Sequence, residues 1–139
     1  MILELPYPPS LNSYYRHVGG KVLISKYGRE YRERVEQLAV LDDVQNKFNK
    51  SKLQVVVTLY PPDNRKRDID NVLKCLFDSL THAKVWHDDS QVKRLFIEKN
   101  EPITSGQVII KIMEYQKDGF FQYSGLSQFF DKICGVFTE

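Results

Sequence analysis

The sequence predicts an α+β fold in a single domain: a mainly antiparallel or mixed four-stranded sheet packed with two helices in the order β-α-β-α-β-β, plus a C-terminal amphipathic helix. Three observations predict it. Leu53, Val55, Val57 and Leu59 alternate with Gln54, Val56, Thr58 and Tyr60, which is strand periodicity with one strongly apolar face. Two longer stretches instead repeat apolar residues at helical spacing. A chain of 139 residues is large enough for one hydrophobic core and too short for two independent ones.

Taken in order, Ile2 to Leu5 reads as a short strand. Pro6, Pro8 and Pro9 then force an extended loop through Asn12-Ser13-Tyr14-Tyr15-Arg16-His17. Ser25 is an N-cap for a helix to about Phe48, with Tyr27, Tyr31, Val35 and Leu38 along one side and Leu41 a candidate to continue it. The Leu53–Tyr60 strand stops at Pro61-Pro62. A second helix starts near Asp68 and runs to about Thr81, burying Val72, Leu73, Leu76, Phe77 and Leu80. Trp86 to Ser90 reads as a turn. Strands near Gln91 to Lys99 and Gln107 to Tyr115 follow, and the short link between them, which contains Gly106, favours an antiparallel pair. In the tail, Leu126, Phe129, Phe130, Ile133, Cys134 and Phe137 form one apolar stripe, to be buried on its own subunit or across a dimer interface. The chain thus divides into a body over 1–114 and an extension over 115–139.

A composition of 42% hydrophobic and 27% charged residues is that of a globular chain, not a disordered one. No apolar run approaches the roughly 20 residues that span a bilayer, and the first ten residues lack a secretory pattern, so the expected location is the cytoplasm, with no membrane partner. Cys75 and Cys134 belong to no Cys-x-x-Cys pair and are expected as buried thiols. The net charge of +2 discriminates little, but the distribution says more. Basic residues gather between Arg16 and Arg34, and Arg65-Lys66-Arg67 stands directly before an acidic pair. Basic ground beside carboxylates suits a site that holds a polyanion and a metal together, and suits a solvated face equally well.

Asp68-Ile69-Asp70 opens the second helix, Lys74 follows, and Asp88-Asp89 comes about one helix length later. On a helix Asp70 and Lys74 share a face, with Asp68 at the cap turned toward the same point. A small open set of carboxylates suits Mg²⁺, which keeps several waters and completes its shell with phosphate oxygens. Such an ion polarises a phosphoryl oxygen and acidifies a bound water, as phosphodiester hydrolysis requires. Other readings stand beside this one: helix capping for Asp68 and Asp70, a helix ion pair of Lys74 with Asp70 or Asp78, and a solvated turn for Asp88-Asp89.

The segments Arg67-Asp68-Ile69-Asp70-Asn71-Val72-Leu73-Lys74, Phe77-Asp78-Ser79-Leu80 and Trp86-His87-Asp88-Asp89-Ser90-Gln91-Val92 closely resemble the signature of the RusA family of Holliday junction resolvases, found in bacteria and their phages. Leu5-Pro6-Tyr7-Pro8-Pro9-Ser10, Asn12, Tyr14 to His17 and Tyr31-Arg32 extend the resemblance, which covers about Leu3 to Glu114. It implies a homodimer that binds four-way DNA junctions, requires Mg²⁺ or Mn²⁺ and cuts two opposing strands symmetrically. It places the family's essential aspartates on Asp68, Asp70 and Asp89 and its essential lysine on Lys74, and it assigns Arg67 to the DNA backbone. Arg65 and Lys66 are expected to bind DNA with it. Tyr14 and Tyr15 are expected to stack on distorted bases or to pack their loop on the core, while Arg16 and His17 contact phosphate. Rival readings are a non-catalytic module that binds branched DNA, a metal-dependent nuclease for flaps, forks or RNA, and a structural interaction protein.

Overall fold

In the computed structural model residues 1–117 are described, and the apolar stripe of the tail lies outside them. The sheet is organised around β4 (Leu53–Tyr60), in which seven of eight residues are buried, on both faces. A strand with no solvated face or edge must find partners for its peptide groups on both sides. β4 does so by pairing in parallel with β5 (Val92–Lys99) and antiparallel with β6 (Gln107–Glu114). β1 (Ile2–Leu5) adds antiparallel to the far side of β6, giving the order β1-β6-β4-β5.

The sheet is therefore mixed, and the antiparallel pair expected between the last two strands does not form, because β4 lies between them. The 100–106 link crosses the end of β4, fastened by Asn100 N–H to the Leu59 carbonyl (2.8 Å) and Ile103 N–H to the Pro61 carbonyl (2.9 Å). Gly106 closes the link at φ +66, where a side chain would bring a Cβ within 2.8 Å of Tyr7 Cβ.

One face of β4 (Leu53, Val55, Val57, Leu59) joins Leu3, Leu5, Val108, Ile110 and Ile112 in the core. The helices α2 (Lys26–Leu41) and α3 (Leu73–His82) close it with Tyr31, Val35, Ala39, Cys75, Leu76 and Leu80. Cys75 is fully buried, as expected, and burial pushes its thiol up to about 12. Ser25 caps α2 by accepting from Gly28 N–H at 3.1 Å. That helix ends at Leu41, earlier than expected, because Asp43 enters the left-handed region (φ 52) and Val44 N–H returns to the Ala39 carbonyl. Asn46 and Asn49 also take positive φ, which breaks any continuation to Phe48. Tyr27 and Leu41, at the two ends of the expected core stripe, are exposed instead, Tyr27 at 67%.

The stretch expected as a loop folds into a short helix α1 (Leu11–Tyr14) and a hairpin of β2 (Tyr15–Val18) and β3 (Lys21–Ile24). Gly19 and Gly20, both at positive φ, make the two-residue turn whose twist matches the strands it joins. The hairpin's root packs tightly on α2: a Cβ at Gly28 would stand 2.7 Å from both Ile24 Cγ2 and Tyr14 Cδ2. Gly28→Ala is therefore expected to destabilise the fold by about 1–3 kcal/mol despite the better helix propensity of alanine, measured as a lower denaturant midpoint at unchanged slope.

Candidate active site

The crossover from β4 to β5 carries the chemistry-bearing residues. Pro61 and Pro62 end β4, and the chain turns through Asp63, whose carboxylate accepts from Arg65 N–H (2.9 Å) and receives both ends of the Arg67 guanidinium. The Arg67 side chain, and after it Arg65 N–H, holds the Asp63 carboxyl down at about 2. Lys99 Nζ donates to the Arg67 carbonyl at 2.8 Å and ties the loop to the end of β5.

Asp68 is the N-cap of a 3₁₀ turn, Ile69–Val72, but its carboxylate makes no capping bond, so the capping reading fails for it. The helix expected from Asp68 thus becomes α-helical only at Leu73. Of the two ion-pair partners open to it, Lys74 takes Asp78, its Nζ donating to Asp78 Oδ1 at 3.0 Å, one turn ahead. Asp78 is the main cause of the raised Lys74 pKa, with smaller contributions from Tyr15 and Asp89, so this ammonium stays charged at neutral pH and has Asp89 within electrostatic reach.

Asp88 and Asp89 lie on a turn that is held from behind. Trp86 is buried, donates Nε1–H to Thr81 Oγ1 (2.7 Å) and meets Phe77 edge to face. Gln91 Oε1 accepts from His87 N–H (2.8 Å) and Asp88 N–H (2.9 Å), while its Nε2 donates to the Asn49 and Ser51 carbonyls. Sequence reasoning did not single out Gln91. The Asp-x-x-Gln spacing of a capping box was its available signal. The Asp88 carboxylate accepts from Ser90 N–H, and its pKa is lowered by the Ser90 side chain first and by that N–H second.

The aspartates of the crossover fall into two groups. Asp63, Asp78 and Asp88 are committed to Arg67, Lys74 and Ser90 respectively. The carboxylates of Asp68, Asp70 and Asp89 accept no hydrogen bond and form no ion pair within 4 Å among the described residues; Asp68 and Asp70 are exposed and Asp89 is half-buried. These three do not form a closed cage, since no group of three or more His, Cys, Asp or Glu placed to hold a metal occurs among the described residues. α3 intervenes: Asp68 and Asp70 precede its first turn and Asp89 follows its end. Hard carboxylate oxygens that no protein donor occupies are nonetheless the ligands Mg²⁺ takes in small number, its shell being completed by water and phosphate.

Of the residues expected at DNA, Arg16 and His17 are exposed on the hairpin, and Arg65 and Lys66 are exposed on the loop. Arg67 is half-buried and bound to Asp63. The tyrosines divide. Tyr14 is fully buried, its hydroxyl accepting from Arg32 Nε at 2.8 Å, so it packs the hairpin root and cannot stack on a base. Tyr15 keeps exposed surface and lies against Tyr14 edge to face. An open cleft of about 820 Å³ runs between the Pro6–Ser10 segment, the outer side of α2 and the 65–68 loop, with Asp68 and Arg67 in its wall.

Uncommitted carboxylates, a fixed ammonium and a basic loop are the parts that phosphodiester chemistry uses. The family model for endodeoxyribonuclease RusA matches residues 6–113. A crossover junction endodeoxyribonuclease of Enterobacteria phage HK97 is 41% identical over 112 residues, covering 81% of this chain and 92% of that one. Crossover junction endodeoxyribonucleases of Shigella sonnei and Escherichia coli K12 are 39% and 38% identical over 107 residues, covering 75% of this chain and 85% of theirs. The chain belongs to the RusA family of endodeoxyribonucleases.

Two outcomes follow from this geometry. Gln91→Leu leaves two N–H groups and two carbonyls without their partner; a stability loss of about 1–3 kcal/mol is expected, together with faster amide exchange at His87 and Asp88 by NMR. The depressed Asp63 pKa is a stabilising contribution that is fully present above the ordinary aspartate range and is lost as pH falls toward about 2. Asp63→Asn should therefore remove stability at neutral pH and flatten the acid limb of the stability profile between about 4 and 2, read by denaturant melts across pH.

Proposed function

We propose that this chain is a divalent-metal-dependent endodeoxyribonuclease that resolves Holliday junctions, cutting opposing strands in symmetric pairs as a homodimer. The observation that carries the reading is the division of the crossover's aspartates: the three that the resemblance assigns as essential carboxylates, Asp68, Asp70 and Asp89, are the three of the crossover without a side-chain partner among the described residues. The names of the relatives, crossover junction endodeoxyribonucleases, supply the substrate.

Asp68, Asp70 and Asp89 would hold Mg²⁺, with Mn²⁺ a substitute. When bound, the ion supplies electrophilic activation of the phosphate and an acidified water. Lys74, kept protonated by Asp78, offers positive charge to the phosphate oxygens as negative charge builds on them. Asp78 thereby positions the ammonium, and Gln91 positions the turn that bears Asp89. Arg65 and Lys66 hold the backbone of the strand, and Arg16, His17 and Tyr15 on the hairpin extend the contact along the DNA. A two-fold dimer presents equivalent sites to the equivalent strands of a junction, and this symmetry supports paired incision. The substrate is intracellular DNA, so the cytoplasm is the expected compartment. Among the described residues no helix is long and apolar enough to cross a membrane.

The test is cleavage of a synthetic four-way junction with and without Mg²⁺, beside linear, flapped and RNA substrates. Cutting of the junction alone, dependent on the ion, is expected, and preference for a flap or for RNA would overturn the substrate. Asp70→Asn is expected to abolish cleavage while junction binding persists. Cutting at the wild-type rate by that variant would refute the site.

A further inference from the structure

Tyr27 is the place where the molecule departs from its own helical pattern. By periodicity it belongs with Tyr31 and Val35, yet those are buried at 7% and 0% while Tyr27 is 67% exposed. One exposed aromatic residue is ordinary in itself. This one stands in the wall of the 820 Å³ cleft, and Glu30 and Arg34, at three and seven residues further along α2, stand with it. The same side of the helix is rooted by Tyr31, whose hydroxyl donates to the Pro6 carbonyl at 2.8 Å, so the stripe is held fixed against the opposite wall.

Charge in the cleft is also sorted. Arg65 and Arg67 are drawn to Asp63, but Arg34 and Lys66 have no carboxylate partner among the described residues. Glu30 is engaged on its outer side by Lys26 at 3.8 Å. The remaining free carboxylate in the wall is that of Asp68, at the start of the candidate active site. Two cations without a carboxylate partner among the described residues, a projecting aromatic ring and an exit at an uncommitted aspartate are the parts of a channel for a single nucleic-acid strand: cations follow the phosphates and the ring offers a face for a base.

We infer that this cleft is the path of the DNA strand leading to the cut site, with Tyr27 stacking on an unpaired base and Arg34 and Lys66 holding successive phosphates. The assignment rests on the nuclease reading and adds α2 to the binding surface, which that reading confined to the hairpin and the 65–67 loop. Because Tyr27 and Arg34 are exposed and support no core contact, their replacement leaves the fold intact.

The experiment measures binding of the full-length protein to a four-way junction and to a single-stranded DNA oligonucleotide, without divalent metal, across a salt series. Tyr27→Ala is expected to weaken binding about 5- to 150-fold, and Tyr27→Phe to restore it, since stacking needs the ring and not the hydroxyl. Arg34→Gln is expected to lower the salt slope by about 0.7 on the single strand, the loss of one phosphate contact. Glu30→Gln, which removes a negative charge from the wall, should tighten binding. Wild-type affinity and slope in both Tyr27→Ala and Arg34→Gln, with DNA still bound, would overturn the channel and leave the nuclease reading standing. Failure of the wild-type protein to bind either DNA would overturn both, and an equal effect of these variants on an RNA strand would overturn the assignment to DNA.

Discussion

A strand buried on both faces has no water to satisfy its peptide groups, and β4 therefore dictates what surrounds it. Its edges have to be paired, and it takes one parallel and one antiparallel neighbour. The parallel neighbour has the larger consequence, because parallel strands cannot be joined by a tight turn and need a long crossover. That crossover is residues 61–91, and it contains every carboxylate and the lysine on which the proposed chemistry rests. The candidate site is the connection that the sheet's own hydrogen bonding makes obligatory.

Within the crossover, polarity is divided between holding and reacting. Asp63 with Arg67, Lys74 with Asp78, and Asp88 with Ser90 are local pairs that stiffen the loop, the helix face and the turn. Gln91 braces the last of these against the 49–51 segment with four hydrogen bonds. Asp68, Asp70 and Asp89 are carried on this framework without being used by it. Carboxylates that no protein cation pairs with within 4 Å among the described residues remain available as ligands, whereas a salt bridge at the same place would have been merely structural.

Local patterns in the chain revealed the strands at 2–5, 53–60, 92–99 and 107–114 nearly to the residue, because side-chain alternation and proline stops are written in adjacent positions. Pairing was not legible in the same way. The link at 100–106 has the length and the glycine of a hairpin, and only the demand of β4 for a second partner turns it into a bridge over that strand. The hairpin at 15–24 was hidden because its residues are mostly exposed and lack an apolar face, although Gly19-Gly20 marked the turn. At the site, residue types and spacing left Asp68, Asp70, Lys74 and Asp89 open between catalysis and capping, ion pairing or a turn, and only the resemblance singled them out; which of Asp70 and Asp78 pairs with Lys74 was not written in the helical spacing, which offers both. The burial of Tyr14 decides between its two readings in favour of core packing, because Gly28 lets the hairpin root press it into the core, while the exposure of Tyr27 reverses what its place in the helical repeat suggested.

β1 lies at the edge of the sheet and finds its partner in β6, with Leu3 opposite Ile110 and Leu5 opposite Val108. The sheet's first strand in chain order is thus joined to its last. Throughout synthesis the N-terminal segment, apolar on one side, waits unpaired for a stretch made more than a hundred residues later, so the sheet cannot close before nearly the whole body is translated.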